Sequence, residues 1–256
     1  MPVVIKSERE IELMTHAGKI LAEVHEKLKE EISSGITTYQ IDQIGEELIR
    51  AQGCIPSFLN YNGYPASVCV SINEEVVHGI PSKERILTEG DIVSLDIGVL
   101  YKGYHSDAAR TYGVGKISKD AEDLIRVTKE SFYEGIKYAT KEYRLFDISK
   151  AIGEYAQSRG YGVVEALCGH GVGKDLHEEP QIPNYDMGRR GMRLRPGMTL
   201  AIEPMINLGT KDVKWLDDKW TVVTMDGKIS AHYEHTILIT ENEPQILTPE
   251  KREANI

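Results

Sequence analysis

The sequence predicts an α+β fold of two related halves, each a pair of helices followed by antiparallel strands, with the strands sharing one sheet and the helices covering its outer face. Three observations carry this. Apolar residues keep helical spacing in four stretches, alternating β-branched runs stand between and after them, and several landmarks recur 107 residues apart.

Ser7 with Glu10 three residues on makes a capping box, in which side chain and backbone satisfy each other's free groups at a helix start. Ile11, Met14, Leu21, Val24, Leu28 and Ile32 then follow helical spacing until Gly35. A shorter helix fits 38–52 and is closed by Gly53, and SVCVSI at 67–72 reads as a strand. In DIVSLDIGVLYKGYHSDAARTY at 91–112, alternation sends Val93, Leu95, Ile97 and Val99 to one face and Ser94, Asp96 and Gly98 to the other. A turn centred between Tyr101 and Lys102 sets Asp96 directly opposite Asp107, where like charges are destabilising. Water on that face, a shared proton or a cation would relieve them. Helices at 118–139 and 146–159 follow, the last closed by Gly160.

The recurrence is specific in several places. IDQIGEELIRAQG ends at Gly53 and ISKAIGEYAQSRG at Gly160; LTEGDIVSLDIGV returns as LRPGMTLAIEPMI, with Gly90 matching Gly197 and Asp96 matching Glu203. Each half also carries His-x-x-Pro, HGIP at 78–81 and HEEP at 177–180. A single domain over 1–256 is expected, with pseudo-repeats at about 7–112 and 118–240 and no linker rich in Pro, Gly or Ser between them.

A formal charge of -10 and a pI near 5.4 argue against nucleic acid as the main partner, which wants a basic stripe. The basic run Arg189, Arg190, Arg193 and Arg195 reads as a solvated loop. Cys54, Cys69 and Cys168 are odd in number and form no CxxC, so neither a disulfide framework nor a structural zinc site is indicated, in keeping with a reducing cytosol. The start of the chain lacks the apolar core of a signal peptide, and no apolar run approaches membrane-spanning length. A soluble, cytoplasmic protein is expected.

Chemistry concentrates in a few polar residues on apolar strands. His170 lies in CGHGVG, His177 opens HEEP, Glu203 interrupts MTLAIEPMI and Glu234 sits in AHYEHTILIT. Singly, each has a structural explanation. Together, Asp96, Asp107, Glu203 and Glu234 in one pocket would repel one another unless protonated or bound to cations. Two divalent ions supply about four charges for four carboxylates, and His170 completes the set. A protonated acid pair is the competing remedy, but it leaves Glu203, Glu234 and His170 unused.

SLDIG, YHSDAARTY, GHGVGKDLHEEP, IEPM and YEHT, in this order and spacing, closely resemble the type I methionine aminopeptidases of the pita-bread fold, from about residue 4 to 248. The resemblance implies that Asp96 holds one metal, that Asp107 and Glu234 bridge both, and that His170 and Glu203 complete the ligand set of the second metal. It implies a metal-bridging water or hydroxide as nucleophile, Glu203 as proton shuttle, His177 at the scissile carbonyl and His78 near the peptide nitrogen. By the same resemblance the substrate's α-amine ligates a metal, and Tyr61, Tyr64, Cys69 and Trp220 line a pocket for a methionine side chain, whose thioether packs well on rings. Phe58 and Leu176 fall where the family varies.

Proline-specific aminopeptidases and dipeptidases share the five-ligand pattern but usually carry a large extra N-terminal domain, and a non-catalytic relative would have lost ligands. All five are present. The short N-terminus and the lack of a long second-half insert point to a bacterial-type enzyme. The expected function is removal of N-terminal methionine from nascent chains with a small second residue, by a monomer using Co, Mn, Fe or Zn, with ribosome association as a possible partnership.

Overall fold

The computed structural model describes residues 2–250. Among them four α-helices, α1 (Glu8–Glu31), α2 (Thr38–Ala51), α3 (Lys119–Ile136) and α4 (Leu145–Gln157), fall within a few residues of the four predicted. The first three start where a side chain accepts from a free N–H of the first turn. Ser7 and Glu10 close the expected capping box on α1, Thr37 and Gln40 close another on α2, and Ser118 caps α3.

Nine strands build the site: β1 (Val68–Ile72), β2 (Ile92–Tyr101), β3 (Tyr104–Gly113), β4 (Gly169–Gly171), β5 (Glu178–Ile182), β6 (Thr199–Ile202), β7 (Met205–Asn207), β8 (Ser230–His232) and β9 (His235–Leu238). Their ladders are all antiparallel. In the first half β2 lies between β1 and β3; in the second the order runs β9, β6, β4, β5, with β7 pairing β8 beside it. The predicted alternation holds. Val93, Leu95, Ile97 and Val99 are buried against Leu21, Val24 and Leu28 of α1 and Ile41 and Ile49 of α2. Leu200, Ile202 and Ile237 pack in the same way on Phe132 of α3 and Ile148 and Ile152 of α4. Each fully buried aliphatic is worth about 1.5–3 kcal/mol, so the apolar face of each strand is fixed toward its helices and the polar face is turned inward.

The register of the β2–β3 hairpin differs from the expected one. Tyr101 pairs with Tyr104, and Lys102 and Gly103 form a two-residue turn with φ of 48° and 87°. Positive φ at both turn positions matches the twist of the flanking strands, and it moves the centre of the turn one residue along. Asp96 therefore faces Ala109, and Asp107 faces Gly98. A shift of two keeps both carboxylates on one face, as diagonal neighbours instead of a directly opposed pair.

Residues 107 apart share backbone conformation. Gly53 and Gly160 follow α2 and α4 with φ of 69° and 86°, and Gly90 and Gly197 precede β2 and β6 with φ of 95° and 87°. In the second half Ile202 pairs with His235, a register that sets Glu203 opposite Glu234 one step further on.

Two threonines splice the halves. The Asp107 N–H donates to Thr236 Oγ1 at 2.9 Å, and that hydroxyl donates to the Asp107 carbonyl at 2.8 Å. Thr111 repeats the arrangement on His232: its hydroxyl donates to the His232 carbonyl and accepts from the His232 N–H, both at 2.9 Å. Between them the Glu234 N–H donates to the Ala109 carbonyl at 2.8 Å. These bonds bring β3 against the 232–236 segment with the acid-bearing faces toward a common interior.

The arginines at 189, 190, 193 and 195 are solvent-exposed, and Arg190 pairs with Asp147, as a solvated loop requires. Among the described residues no helix is long and apolar enough to cross a membrane.

Candidate metal centre and active site

Every candidate metal-binding, catalytic or pocket residue named from the sequence lines one cavity of about 430 Å³. Asp96 comes from the middle of β2, Asp107 from β3, His170 from β4, Glu203 from the segment after β6 and Glu234 from the bend between β8 and β9. Asp107, His170 and Glu234 are buried and offer ligand atoms within 4.8 Å of one another. His170 Nε2 stands 3.8 Å from Asp107 Oδ2 and 3.6 Å from Glu203 Oε1. Those separations are too long for hydrogen bonds. They suit donors that share a cation, because ligands each about 2 Å from one ion lie roughly 3–4 Å apart.

Three further features fit a divalent ion. Asp96 Oδ1 and Asp107 Oδ1 are buried without a hydrogen-bond partner. The His170 Nδ1 lies 2.8 Å from the Gly171 carbonyl, which accepts its proton and leaves the Nε2 lone pair facing the acids. Burial lowers the basicity of His170, with the neighbouring His177 adding to the effect, so that its pKa falls to about 3 and the ring stays a neutral donor. The carboxyls move the opposite way. Burial pushes Asp96 up to about 7 and Glu203 up to about 8. Burial first, and the crowding of neighbouring acids second, drive Asp107 and Glu234 well above the usual carboxylate range. An oxygen-rich set with one imidazole, frustrated in this way, is what hard or borderline divalent cations take.

The opposite end of the cavity is apolar. Phe58, Tyr64, Cys69 and Leu176 are buried there together, with Tyr61 and Trp220 packed against them. Tyr64 meets Trp220 edge-on at 5.2 Å and donates its hydroxyl to the Gly79 carbonyl at 2.9 Å. Phe58 and Leu176, whose part in the pocket was open in the sequence, belong to its wall.

Two histidines stand between these ends. His78 takes a left-handed backbone at φ 59°, a conformation that costs a non-glycine residue energy and is held by its surroundings, and its ring lies edge-on to Trp220 at 6.2 Å. Burial lowers its pKa to about 4. The His177 ring lies 4.2 Å from that of His170, and its Nδ1 meets the Tyr61 hydroxyl at 2.8 Å. When that hydroxyl donates, Nε2 carries the proton and faces the cavity as a neutral donor.

Sequence reasoning passed over Asn62, which lines the cavity, and His232, which is buried beside Asp96 and Glu203. Asn62 had a signal in the turn-forming NG that follows Tyr61. His232 had one in its spacing of two from Glu234.

Fold and site together define a metal-dependent hydrolase, and residues 12–241 match metallopeptidase family M24. Methionine aminopeptidase from Clostridium acetobutylicum is 52% identical over 96% of this chain and 98% of its own length. Methionine aminopeptidase 1 from Bacillus subtilis is 54% identical over 96% and 99%. The solved methionine aminopeptidase of Thermotoga maritima superposes with a TM-score of 0.95 at 46% identity, covering 97% of this chain and all of the other. A prolidase from Pyrococcus furiosus shares the fold at TM-score 0.80 and 26% identity, with 66% of its chain covered. The chain belongs to metallopeptidase family M24, among its methionine aminopeptidases.

Proposed function

We propose that this chain removes an N-terminal methionine from polypeptides whose second residue is small, at two divalent ions held by Asp96, Asp107, His170, Glu203 and Glu234. The observation that carries the reading is the single cavity with a ligand set at one end and a closed apolar pocket at the other. Bound there, the ions supply Lewis acidity and lower the pKa of water. The donor set suits Mn²⁺, Fe²⁺, Co²⁺ or Zn²⁺.

The chain's own residues do the rest. The wall formed by Phe58, Tyr64, Cys69, Leu176 and Trp220 takes the methionine side chain, and its limited volume orients the scissile bond over the acids. Glu203, ionised once the ions have replaced its proton, would take a proton from the attacking water and carry it toward the leaving amine. His177 donates Nε2–H to the carbonyl oxygen as charge develops on it. His78 is placed to hydrogen-bond the backbone nitrogen of the bound peptide.

Tyr61 matters here for more than its ring. Tyr61→Phe keeps the wall but frees the His177 imidazole to adopt the other tautomer. The expected result is a fall in kcat/KM of about tenfold, in line with about 1.4 kcal/mol for one hydrogen bond to a developing charge. Steady-state kinetics on a methionyl tripeptide checks it.

The reading extends to a monomer that meets nascent chains in the cytoplasm, with docking at the ribosome as the corresponding partnership. Three free cysteines among the described residues accord with a reducing compartment. The deciding experiment supplies metal-reconstituted protein with Met-Ala-Ser, Leu-Ala-Ser and Ala-Pro. Cleavage of Met-Ala-Ser at least about 100-fold faster than the others is expected from a pocket shaped to one side chain. Preference for Ala-Pro would overturn the assignment, and turnover of none would mark a binding protein.

A further inference from the structure

His232 ends β8 with a side chain 2% exposed, yet neither ring nitrogen has a hydrogen-bond partner. A buried donor left this way has lost its water and gained nothing in return, and such groups in a packed interior call for an explanation. Its backbone is held from both sides. Thr111 takes the N–H and supplies the carbonyl's donor, and His232 pairs with Met205 in the β7–β8 ladder. The ring has little freedom to look elsewhere.

It looks at Glu203. His232 Nε2 lies 3.5 Å from Glu203 Oε2, and the other oxygen of the same carboxylate, Oε1, lies 3.6 Å from His170 Nε2. Glu203 is therefore flanked by two imidazoles, and they are not equivalent. His170 spends its Nδ1 proton on the Gly171 carbonyl and turns a lone pair toward the carboxylate. His232 has no such bond, so an N–H remains for Oε2. His232 does not line the cavity, where a substrate would sit.

We propose that His232 is a positioning residue for Glu203: its Nε2–H donates to Oε2 and turns Oε1 toward His170 and Asp107. Closing the gap by roughly half an ångström gives an ordinary charge-assisted hydrogen bond. One oxygen of Glu203 is then fixed on the protein side, and the other is left for the metal and for proton transfer. This rests on the reading of Glu203 as ligand and proton carrier, and it adds a group that sets the angle of the carboxylate.

The test compares His232→Leu, which keeps bulk without a donor, with His232→Gln, which keeps an N–H. Metal-loaded His232→Leu is expected to lose about 10- to 100-fold in kcat on Met-Ala-Ser with KM within about threefold, the size usual for lost partners of metal ligands. Calorimetric titration of Mn²⁺ into the metal-free chain should show the tightest site weakened about tenfold. His232→Gln should recover both to within about threefold. In a Glu203→Gln background, His232→Leu should cost nothing further in kcat, because the proton-carrying carboxyl that the contact positions is already gone. Wild-type kcat and Mn²⁺ affinity in His232→Leu overturn the proposal. So does a Gln variant as impaired as Leu with an unchanged melting temperature, or full additivity with Glu203→Gln. If wild-type protein fails to cut Met-Ala-Ser, the function is wrong, while the Mn²⁺ titrations still read the contact between His232 and Glu203.

Discussion

Glu203→Gln lowers kcat on Met-Ala-Ser by about 10²–10⁴-fold, the range expected when a positioned general acid–base is removed. The substitution preserves shape and leaves the apolar pocket untouched, so KM should stay within a few-fold. The change is confined to charge and proton transfer. Glu203 lies within 3.6 Å of one imidazole and 3.5 Å of another, and burial holds its pKa up to about 8. An amide there can accept from His232 but cannot carry a proton between water and a leaving amine. Asp96→Asn makes a contrasting variant. It removes a proposed ligand whose buried Oδ1 has no protein partner, so metal content and activity should fall together. Metal analysis alongside kinetics separates the two. A Glu203→Gln protein within tenfold of wild-type kcat would remove Glu203 from the chemistry, and an Asp96→Asn protein with full metal content would remove Asp96 from the ligand set.

Above about pH 7, where the buried histidines are neutral in the folded and the unfolded chain alike, the metal-free protein becomes less stable as pH rises to 9, with a fall in Tm of roughly 5–10 °C. The sign follows from four carboxyls whose folded-state pKa values lie above their unfolded ones. Such groups bind more protons in the folded chain, so their contribution to stability is fully present below about pH 4. It is lost as pH climbs through about 7 for Asp96 and about 8 for Glu203. Divalent ions reverse the trend by replacing those protons. Calorimetric titration near pH 6 in two buffers of different ionisation enthalpy should show release of on the order of two to four protons per chain. Proton uptake on metal binding, or a metal-free Tm that rises between about pH 7 and 9, would show that these acids do not share one charge-frustrated site.

Alternation made much of this legible. Val93 to Val99 had to face α1 and α2, so the parity that places Asp96 and Asp107 on the interior face was readable although their exact pairing was not. Parity follows from where the apolar residues go, whereas register follows from the turn, and Lys102 at positive φ is not a choice that composition announces. The acids at 96, 107, 203 and 234 stood out because an acid inside an apolar strand is expensive without a partner. His232 did not, since a histidine beside a buried glutamate looks like part of the strand until the distance to Glu203 is seen. The Tyr61 hydroxyl on His177 joins residues 116 positions apart and has no local sequence signature.

The threonine seam has a kinetic consequence. Asp107 and Thr236 are 129 positions apart, and Thr111 and His232 are 121 apart, so the bonds that complete the ligand cluster are among the least local in the chain. Loop closure over such spans opposes early formation, and each half has its own helices and hairpin to organise first. The cluster should therefore appear last in folding, when the halves dock. A divalent ion would be captured only by a finished molecule, which makes metal uptake a clock for the final step of assembly.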